Sequence, residues 1–300
     1  ILGFLPYASG MDLMSFISVF WEQFNEAPKI ITGLLVFPPL LYLMKRASGE
    51  LNGWSHFKPS AEDLYSYRNN FMLVILNVFT WTALFVVFDK YLINFWEDTF
   101  GMTRLDPFGS WPLLFQVLVL MLILDFTNYW SHRLLHRPWM WGIHSLHHSD
   151  EKMNFSTNFR VHGLEMVQMK MVAVVIIGWL SLPVAALAIA VFLRSWYGLY
   201  VHSRLPFDHG RFRKVLVSPN YHRWHHADDP AVYGKNLGDM FPIWDLAFGT
   251  HYDPGTCNIP QGVSDAPKDI FRAQWFPVVY LMRLFKGRKT QESTLPASAE

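Results

Sequence analysis

The stretch DFTNYWSHRLLHRPWMWGIHSLHH, residues 125–148, joins the end of an apolar run to two clusters of histidine. The first cluster is HRLLH at 132–136, and the second is HSLHH at 144–148. A third cluster, HRWHH, follows at 222–226. Eight of the 13 histidines fall in these three short clusters, which is not how histidines placed for packing are distributed. The pattern indicates a site built from imidazoles beside an apolar segment.

Four long apolar runs favour an all-α membrane protein. They occupy 30–44, 71–88, 108–124 and 171–193, and none contains a charged residue. A helix crosses the hydrocarbon layer with about 20 residues, and four such runs are unusual for the core of one soluble domain. The whole chain is 51% apolar or aromatic and only 16% charged, whereas a typical soluble domain is roughly a quarter charged.

The last apolar run predicts a helical hairpin rather than a single span. Residues 164–201 provide 38 residues, enough for two arms, and Ser181-Leu182-Pro183 is the expected break because proline ends or kinks a helix. Arg194 falls inside the second arm. Its charge must therefore reach the interface or face a cavity.

Lysine and arginine in the short connections set the predicted orientation. Basic residues concentrate in 45–70, 131–162 and 203–223, while 89–107 carries only two. Since cytoplasmic loops are enriched in these residues, the three basic segments are expected inside and 89–107 outside. The sequence thus predicts about four transmembrane spans and a cytoplasmic helical cap that carries the histidine clusters.

Three regions are expected along the chain. Residues 1–110 form an N-terminal transmembrane region, 111–253 a histidine-rich catalytic region with the hairpin, and 254–300 a C-terminal segment with a disordered tail.

Charge and cysteine content exclude other classes of protein. The net charge of +1 gives the chain no overall positive potential that would attract nucleic acid. A single cysteine, Cys257, excludes an intrachain disulfide and cysteine-rich metal sites.

The spacing within the clusters favours metal binding. His132 and His136 are four residues apart, and the other two clusters repeat an i, i+3, i+4 pattern, which places imidazoles on one side of a helix. Imidazole nitrogen binds iron, zinc, copper and nickel. Eight imidazoles exceed what one ion needs, so two metal ions are the economical interpretation.

Other metal and hydrolytic chemistries fit the sequence less well. A transporter would carry histidines inside the spans, and a haem protein needs only one or two axial histidines. The sequence has no H-E-x-x-H, no E-x-x-H and no G-x-S-x-G, which leaves zinc metalloproteases, carboxylate di-iron bundles and serine hydrolases unsupported.

The three clusters and their surroundings resemble the fatty acid hydroxylase superfamily, in particular its sterol desaturase branch. The order HxxxH, HxxHH, HxxHH is similar to that family's. Five stretches are similar as well: DFTNYWSHRLLH (125–136), NFSTNFRVHGLE (154–165), VHSRLP (201–206) leading to SPNYHRWHH (218–226), YGKNLG (233–238) and IWDLAFGT (243–250). The resemblance covers roughly residues 110–250. It implies a membrane enzyme with two non-haem iron ions, which uses O2 and two electrons to hydroxylate or desaturate a lipid C–H bond.

The resemblance also extends the expected metal ligands beyond the three clusters. His202 and His162 match further histidines of the family's site. Some relatives carry another histidine four residues before the position of His202, where this chain has Gly198. The expected ligands are His132, His136, His144, His147, His148, His162, His202, His222, His225 and His226.

Acidic and amide side chains near the clusters are candidates to orient the ligating imidazoles. Asp125 lies seven residues before His132, on the same helical face; Glu165 and Asn236 are further candidate catalytic-site residues, with Asp245 as another. A helix cap, a turn or an interhelical hydrogen bond is the alternative role for each.

The expected partners are a lipid substrate, O2 and a separate electron donor of the ferredoxin or cytochrome and reductase type. Zinc can replace the two iron ions in a purified sample. The active site is expected on the cytoplasmic side, with a bacterial inner membrane favoured over the endoplasmic reticulum. A non-catalytic metal-binding protein, a haem electron carrier and a paralogue that loads no iron remain alternatives, and the lipid is left open among sterols, acyl chains, sphingoid bases and related lipids.

Overall fold

The computed structural model describes residues 60–93, 95–101, 105–205, 207–263 and 266–285. The predicted span at 30–44 and the predicted tail at 287–300 lie outside these residues. Within the described ranges the chain is all-helical and contains no strand, which agrees with the predicted class. The α-helices are α1 Ala61–Ile93, α2 Phe95–Phe100, α3 Leu113–Leu135, α4 Trp141–His148, α5 Gly163–Ile177, α6 Val184–Val201, α7 Pro219–His225, α8 Ile243–Phe248 and α9 Ile270–Phe285.

Helix α3 is the centre of the fold. Both α5 and α6 pack along it, and one core cluster joins α3 residues Val117 and Leu120 to α6 residues Ala186 and Ala190. Ala186 and Ala190 are one helical turn apart and fully buried, so the two backbones approach closely.

The predicted break in the last apolar run is confirmed. Helix α5 ends at Ile177 and α6 begins at Val184, so the interruption contains Ser181-Leu182-Pro183. The two arms pack mainly against α3 rather than against each other, which the apolar pattern did not reveal. Arg194 in the second arm pairs with Asp239, with 2.8 Å between its Nη2 and the carboxylate Oδ2.

Only part of the predicted membrane architecture is visible in the described residues. Within them, Leu113–Leu135 is the helix that is long and apolar enough to cross a membrane by length and composition. The predicted span 71–88 lies inside α1, which begins ten residues earlier. Ser60 and Asp63 bond reciprocally to each other's backbone N–H groups there and cap the helix. Four spans therefore stay a prediction.

Short helices bring the histidine clusters together at one end of α3. His132 lies in the last turn of α3 and His136 caps its C-terminus, while α4 carries the second cluster. Helix α7 carries the third and begins at a local signal: the Ser218 hydroxyl accepts the Tyr221 N–H, and Pro219 occupies the first turn.

Candidate metal centre

Nine of the ten predicted ligands form two groups of imidazoles, all of them buried except the half-buried His132. In each group the possible ligand atoms all lie within 4.8 Å of one another. Group A contains His132, His136, His144, His148 and His225; group B contains His147, His202, His222 and His226. Each group therefore offers enough nitrogen atoms for one metal ion.

Neighbouring histidines in the second and third clusters belong to different groups. His148 lies in group A and His147 in group B, while His225 lies in group A and His226 in group B. Two imidazoles of each cluster share a group, which is the lower of the two or three expected to point one way. Members four residues apart share a group, and the member between them turns to the other, because successive side chains on a helix diverge by about 100°.

The buried imidazoles are held neutral. Burial, reinforced by neighbouring imidazoles, lowers the pKa well below the usual range for His136, His144, His147, His148, His222, His225 and His226. Burial also lowers the pKa of His202, to about 4. A neutral imidazole keeps one nitrogen lone pair, which is the form that binds a metal ion.

Polar atoms left without partners show that the donors suit metal ions. Within the described part of the chain, both ring nitrogens of His136, Nδ1 of His147 and His222, and Nε2 of His225 and His226 are buried without a hydrogen bond. Such groups carry a desolvation cost unless something binds them. Nε2 atoms also converge, at 3.1 Å between His132 and His144 and 3.0 Å between His202 and His222.

Main-chain carbonyls fix the orientation of three ligands. The Nδ1–H of His132 donates to the Leu237 carbonyl at 2.9 Å, and that of His225 donates to the Lys235 carbonyl at 2.8 Å. His202 donates in the same way to the Gly198 carbonyl at 2.7 Å. Since a carbonyl can only accept, each ring keeps its Nε2 lone pair for a metal ion.

Asn236 and Asp245 hold the loop that supplies two of these carbonyls. Asn236 adopts a left-handed backbone, φ 56°, between Lys235 and Leu237. Its side chain donates to the Tyr221 carbonyl and accepts the Tyr252 N–H. The buried Asp245 carboxylate accepts the N–H groups of Leu237 and Gly238.

Of the acidic candidates, Glu165 lies directly beside one of the grouped imidazoles. Its Oε1 lies 3.1 Å from His144 Nδ1, and both side chains are buried. Asp125 instead accepts the N–H groups of Met240 and Phe241 and the Trp244 indole N–H. No hydrogen bond described for Asp125 reaches a histidine, so its link to group A runs through the loop backbone.

The structure does not bring His162 into either group. Its Nδ1 accepts the Leu164 N–H at 3.0 Å and caps α5, and its Nε2 lies 3.3 Å from the Gln274 carbonyl. At Gly198, a Cβ would come within 2.6 Å of the Asn158 amide oxygen. A histidine there would have to displace Asn158, and group B thus has four imidazoles where group A has five.

The sequence did not predict the main-chain carbonyls that accept hydrogen bonds from the imidazoles. It also did not predict a series of side-chain contacts that links Asp245, Tyr221 and His251. The Tyr221 hydroxyl donates to Asp245 and lies 3.0 Å from His251 Nδ1. The stretch YGKNLG contains glycine and asparagine, the residue types that favour turns and a left-handed backbone. This composition is the signal that could have predicted an ordered turn at Asn236.

Comparison with known proteins agrees with this geometry. The family model described as fatty acid hydroxylase matches residues 117–250, which contain all nine grouped histidines. No solved structure matches the chain.

Three curated relatives illustrate the range of proteins to which the chain is similar. An ornithine lipid hydroxylase of Rhizobium tropici is 28% identical over 171 residues, covering 55% of this chain and 47% of the relative. An alkylglycerol monooxygenase of Danio rerio is 31% identical over 158 residues, covering 51% and 33%. Methylsterol monooxygenase 2-2 of Arabidopsis thaliana is 27% identical over 156 residues, covering 50% and 58%.

The chain thus spans about a third to three fifths of the relatives it matches. All three relatives carry names of lipid-oxidising enzymes. Residues 117–250 thus match a fatty acid hydroxylase domain, and the chain is similar to lipid hydroxylases and monooxygenases.

Proposed function

We propose that this protein is a membrane-bound, non-haem di-iron oxygenase that hydroxylates or desaturates a C–H bond of a lipid. The observation that carries the proposal is the pair of adjacent, buried groups of neutral imidazoles. Two iron ions held by groups A and B would supply the activation of O2 that attack on an unactivated C–H bond requires. The names of the relatives favour a lipid as the substrate.

The protein supplies neutral donors and excludes water around them. The nine grouped histidines carry no negative charge, so a bound metal pair would be more electron-poor than one held by carboxylates. Most of them are fully buried at the end of α3, beside the apolar core formed with α6.

Outer contacts set the orientation of the ligands. We assign Glu165 to hold His144, and Asn236 to hold the carbonyls that orient His132 and His225. Asp125 is a positioning residue that fixes the neighbouring backbone at Met240 and Phe241. O2, a separate electron donor of the ferredoxin or cytochrome and reductase type, and a cytoplasmic active site complete the proposal.

Mössbauer spectroscopy of protein grown with iron-57, with total metal counted in the same sample, tests the site. The expected result is an exchange-coupled pair and about two iron ions per chain, since each group fits one ion. Zinc in the sample calls for reconstitution with iron before the measurement. A haem spectrum, or folded protein that takes up no iron after reconstitution, would overturn the assignment.

Alanine at His147, His148, His225 or His226 tests the link between the groups and turnover. Each variant should lose O2-dependent conversion of added lipid while still inserting into the membrane. His209→Asn is a matched control, because His209 lies outside both groups and asparagine tolerates its left-handed backbone, φ 62°. Wild-type turnover in any of the four alanine variants would contradict the proposal, and metal without product would indicate a binding protein.

A further inference from the structure

Helix α9 has two apolar faces, only one of which is covered by the described residues. Its inner face is buried and includes Ile270, Ala273, Phe276 and Tyr280. Six side chains form the outer face: Phe271, Trp275, Val278, Val279, Met282 and Phe285. They are 40–88% exposed, with Trp275 at 72%. A contiguous apolar stripe of this length marks a surface that meets a partner or a membrane.

Charge and residue type favour a lipid surface. Apart from the adjacent pair Val278 and Val279, the outer-face residues recur every three to four positions, which aligns them along one side of the 16-residue helix. Exposed Arg272 and Arg283 lie at the edge of this stripe, and α9 contains no acidic residue. An apolar stripe with tryptophan, bordered by cations, is typical of helices that lie in the headgroup region of an anionic bilayer.

The position of α9 in the fold gives an independent argument. At its start, Phe271 lines a pocket with Tyr65, Arg68 and Met72 of the first turns of α1. One turn later, the Gln274 carbonyl lies 3.3 Å from Nε2 of His162, directly before α5.

Farther along the same helix, contacts lead to the end of α3. Tyr280 packs with Trp141 in one core cluster, and its ring lies against Gly142; these two residues are six and seven positions after the end of α3. Helix α9 therefore passes the start of α1, the start of α5 and the end of α3. In the predicted orientation these three points lie on the cytoplasmic side, so a helix that touches all three runs along the membrane surface and not across it.

We propose that α9 is an interfacial helix whose outer face inserts into the surface of an anionic bilayer. This inference rests on the membrane location in the proposed function. It adds a consequence for the site, because the inner face of α9 packs on α4, which carries His144, His147 and His148. Insertion of α9 into the bilayer surface would then restrict the movement of α4, because α9 packs on it.

Site-directed spin labelling of the full chain tests the inference. Single cysteines replace Trp275 and Met282 in a Cys257→Ala background, and the protein is reconstituted in vesicles of phosphatidylcholine and phosphatidylglycerol. Ala231→Cys, at an exposed position of the short 3-10 helix Pro230–Val232, is the aqueous control, and Leu122→Cys at an exposed position of α3 is the membrane control. The readout is relaxation of the label by O2 compared with relaxation by a water-soluble nickel complex.

The expected result is that both α9 labels respond more to O2 than Ala231→Cys does, at a shallower depth than Leu122→Cys. Their depth should increase with the phosphatidylglycerol content, and Arg272→Gln with Arg283→Gln should remove that dependence. If the nickel complex relaxes the α9 labels while the Leu122→Cys label lies in the membrane, the inference about α9 is wrong but the membrane location stands. Spin–spin broadening between copies, or labels shielded from both reagents by another part of the chain, would also overturn the inference about α9. An aqueous Leu122→Cys label would instead overturn the membrane location itself.

Discussion

The smallest structural unit that matters for the proposed chemistry is the tripeptide Lys235-Asn236-Leu237. Its outer carbonyls accept Nδ1–H groups from two ligands of group A, while the central residue takes a left-handed backbone. Asparagine adopts that conformation more readily than other side-chain-bearing residues. Its amide is bonded at both ends, so the two acceptor carbonyls are held in place.

Asn236→Ala should weaken metal binding by group A about 10- to 100-fold, as loss of an outer contact typically does. The alanine removes the amide and disfavours the left-handed backbone, whereas Asn236→Gly removes only the amide and should retain more metal. Metal retained during titration with a chelator measures both variants. Equal retention in wild type, Asn236→Ala and Asn236→Gly would show that the carbonyls do not depend on this residue.

Glu165→Gln should also weaken metal binding about 10- to 100-fold, because a neutral amide replaces the carboxylate beside His144. The variant has nearly the same volume, so helical content and the temperature of unfolding without metal should change little. The same chelator titration and circular dichroism make the test. Unchanged affinity would remove Glu165 from the site, and a collapse of helical content would assign it a structural role.

At this scale, side-chain spacing predicts much of the site but not its internal arrangement. The three clusters and the family resemblance named all nine grouped histidines. They did not separate His147 from His148, because that division depends on which direction each side chain takes from a short helix. Every residue type carries a main-chain carbonyl, so the sequence could not predict that the carbonyl of Leu237 would accept a hydrogen bond from an imidazole.

Among the elements, α3 and the two arms beside it determine where the ligands meet. Proline and the length of the apolar run predicted the break between α5 and α6. The placement of the arms along α3 depends on side-chain packing, including the close approach at Ala186 and Ala190, which no periodicity encodes.

Ala190→Leu should destabilise the packing of α6 on α3 by about 1–3 kcal/mol, the usual cost of adding bulk to a filled core. Ala190 is 0% exposed, whereas Ala188 on the same helix is exposed and provides the control Ala188→Leu. Thermal unfolding in detergent compares the two variants. Equal unfolding temperatures of the two variants would contradict the close packing of α6 on α3 at Ala190.

The start of α1 should make a pH-dependent contribution to stability. Arg204 bonds to Asp63 and is the main cause that lowers the pKa of this carboxyl to about 2. A lowered carboxyl pKa stabilises the folded state above the unfolded value near 3.8, and the contribution disappears as pH falls towards 2. Asp63→Asn should therefore cost about 1–2 kcal/mol at neutral pH and little at pH 2. A cost independent of pH, measured by denaturant unfolding, would contradict the ion pair.

For the whole molecule, the connections between helices would decide on which side of a membrane the proposed metal centre lies. Composition and apolar runs predicted a helical membrane protein, and the described residues are all-helical with one helix suited to cross a bilayer. The remaining spans cannot be assigned from helix length alone, since a buried core helix has the same composition. The distribution of lysine and arginine is the physical basis for the predicted orientation.

Labelling of intact cells with a membrane-impermeant maleimide tests that orientation. Asp98→Cys in α2 lies in the segment expected outside, and Lys214→Cys lies in a segment expected inside; both positions are exposed, while the native Cys257 is buried. The first variant should label in intact cells and the second only after permeabilisation. The reverse pattern would place the metal centre on the outer side.

The division of adjacent histidines between the two groups has a mechanical consequence. Each of the pairs His147–His148 and His225–His226 joins the two groups through a single peptide unit, whose Cα atoms are about 3.8 Å apart. In the proposed metal centre, the distance between two bound ions would therefore depend on covalent geometry at two places, and less on the approach of separate helices. Changes in bilayer thickness or lateral tension that tilt α3, α5 or α6 would then move both groups together and change the distance between them little.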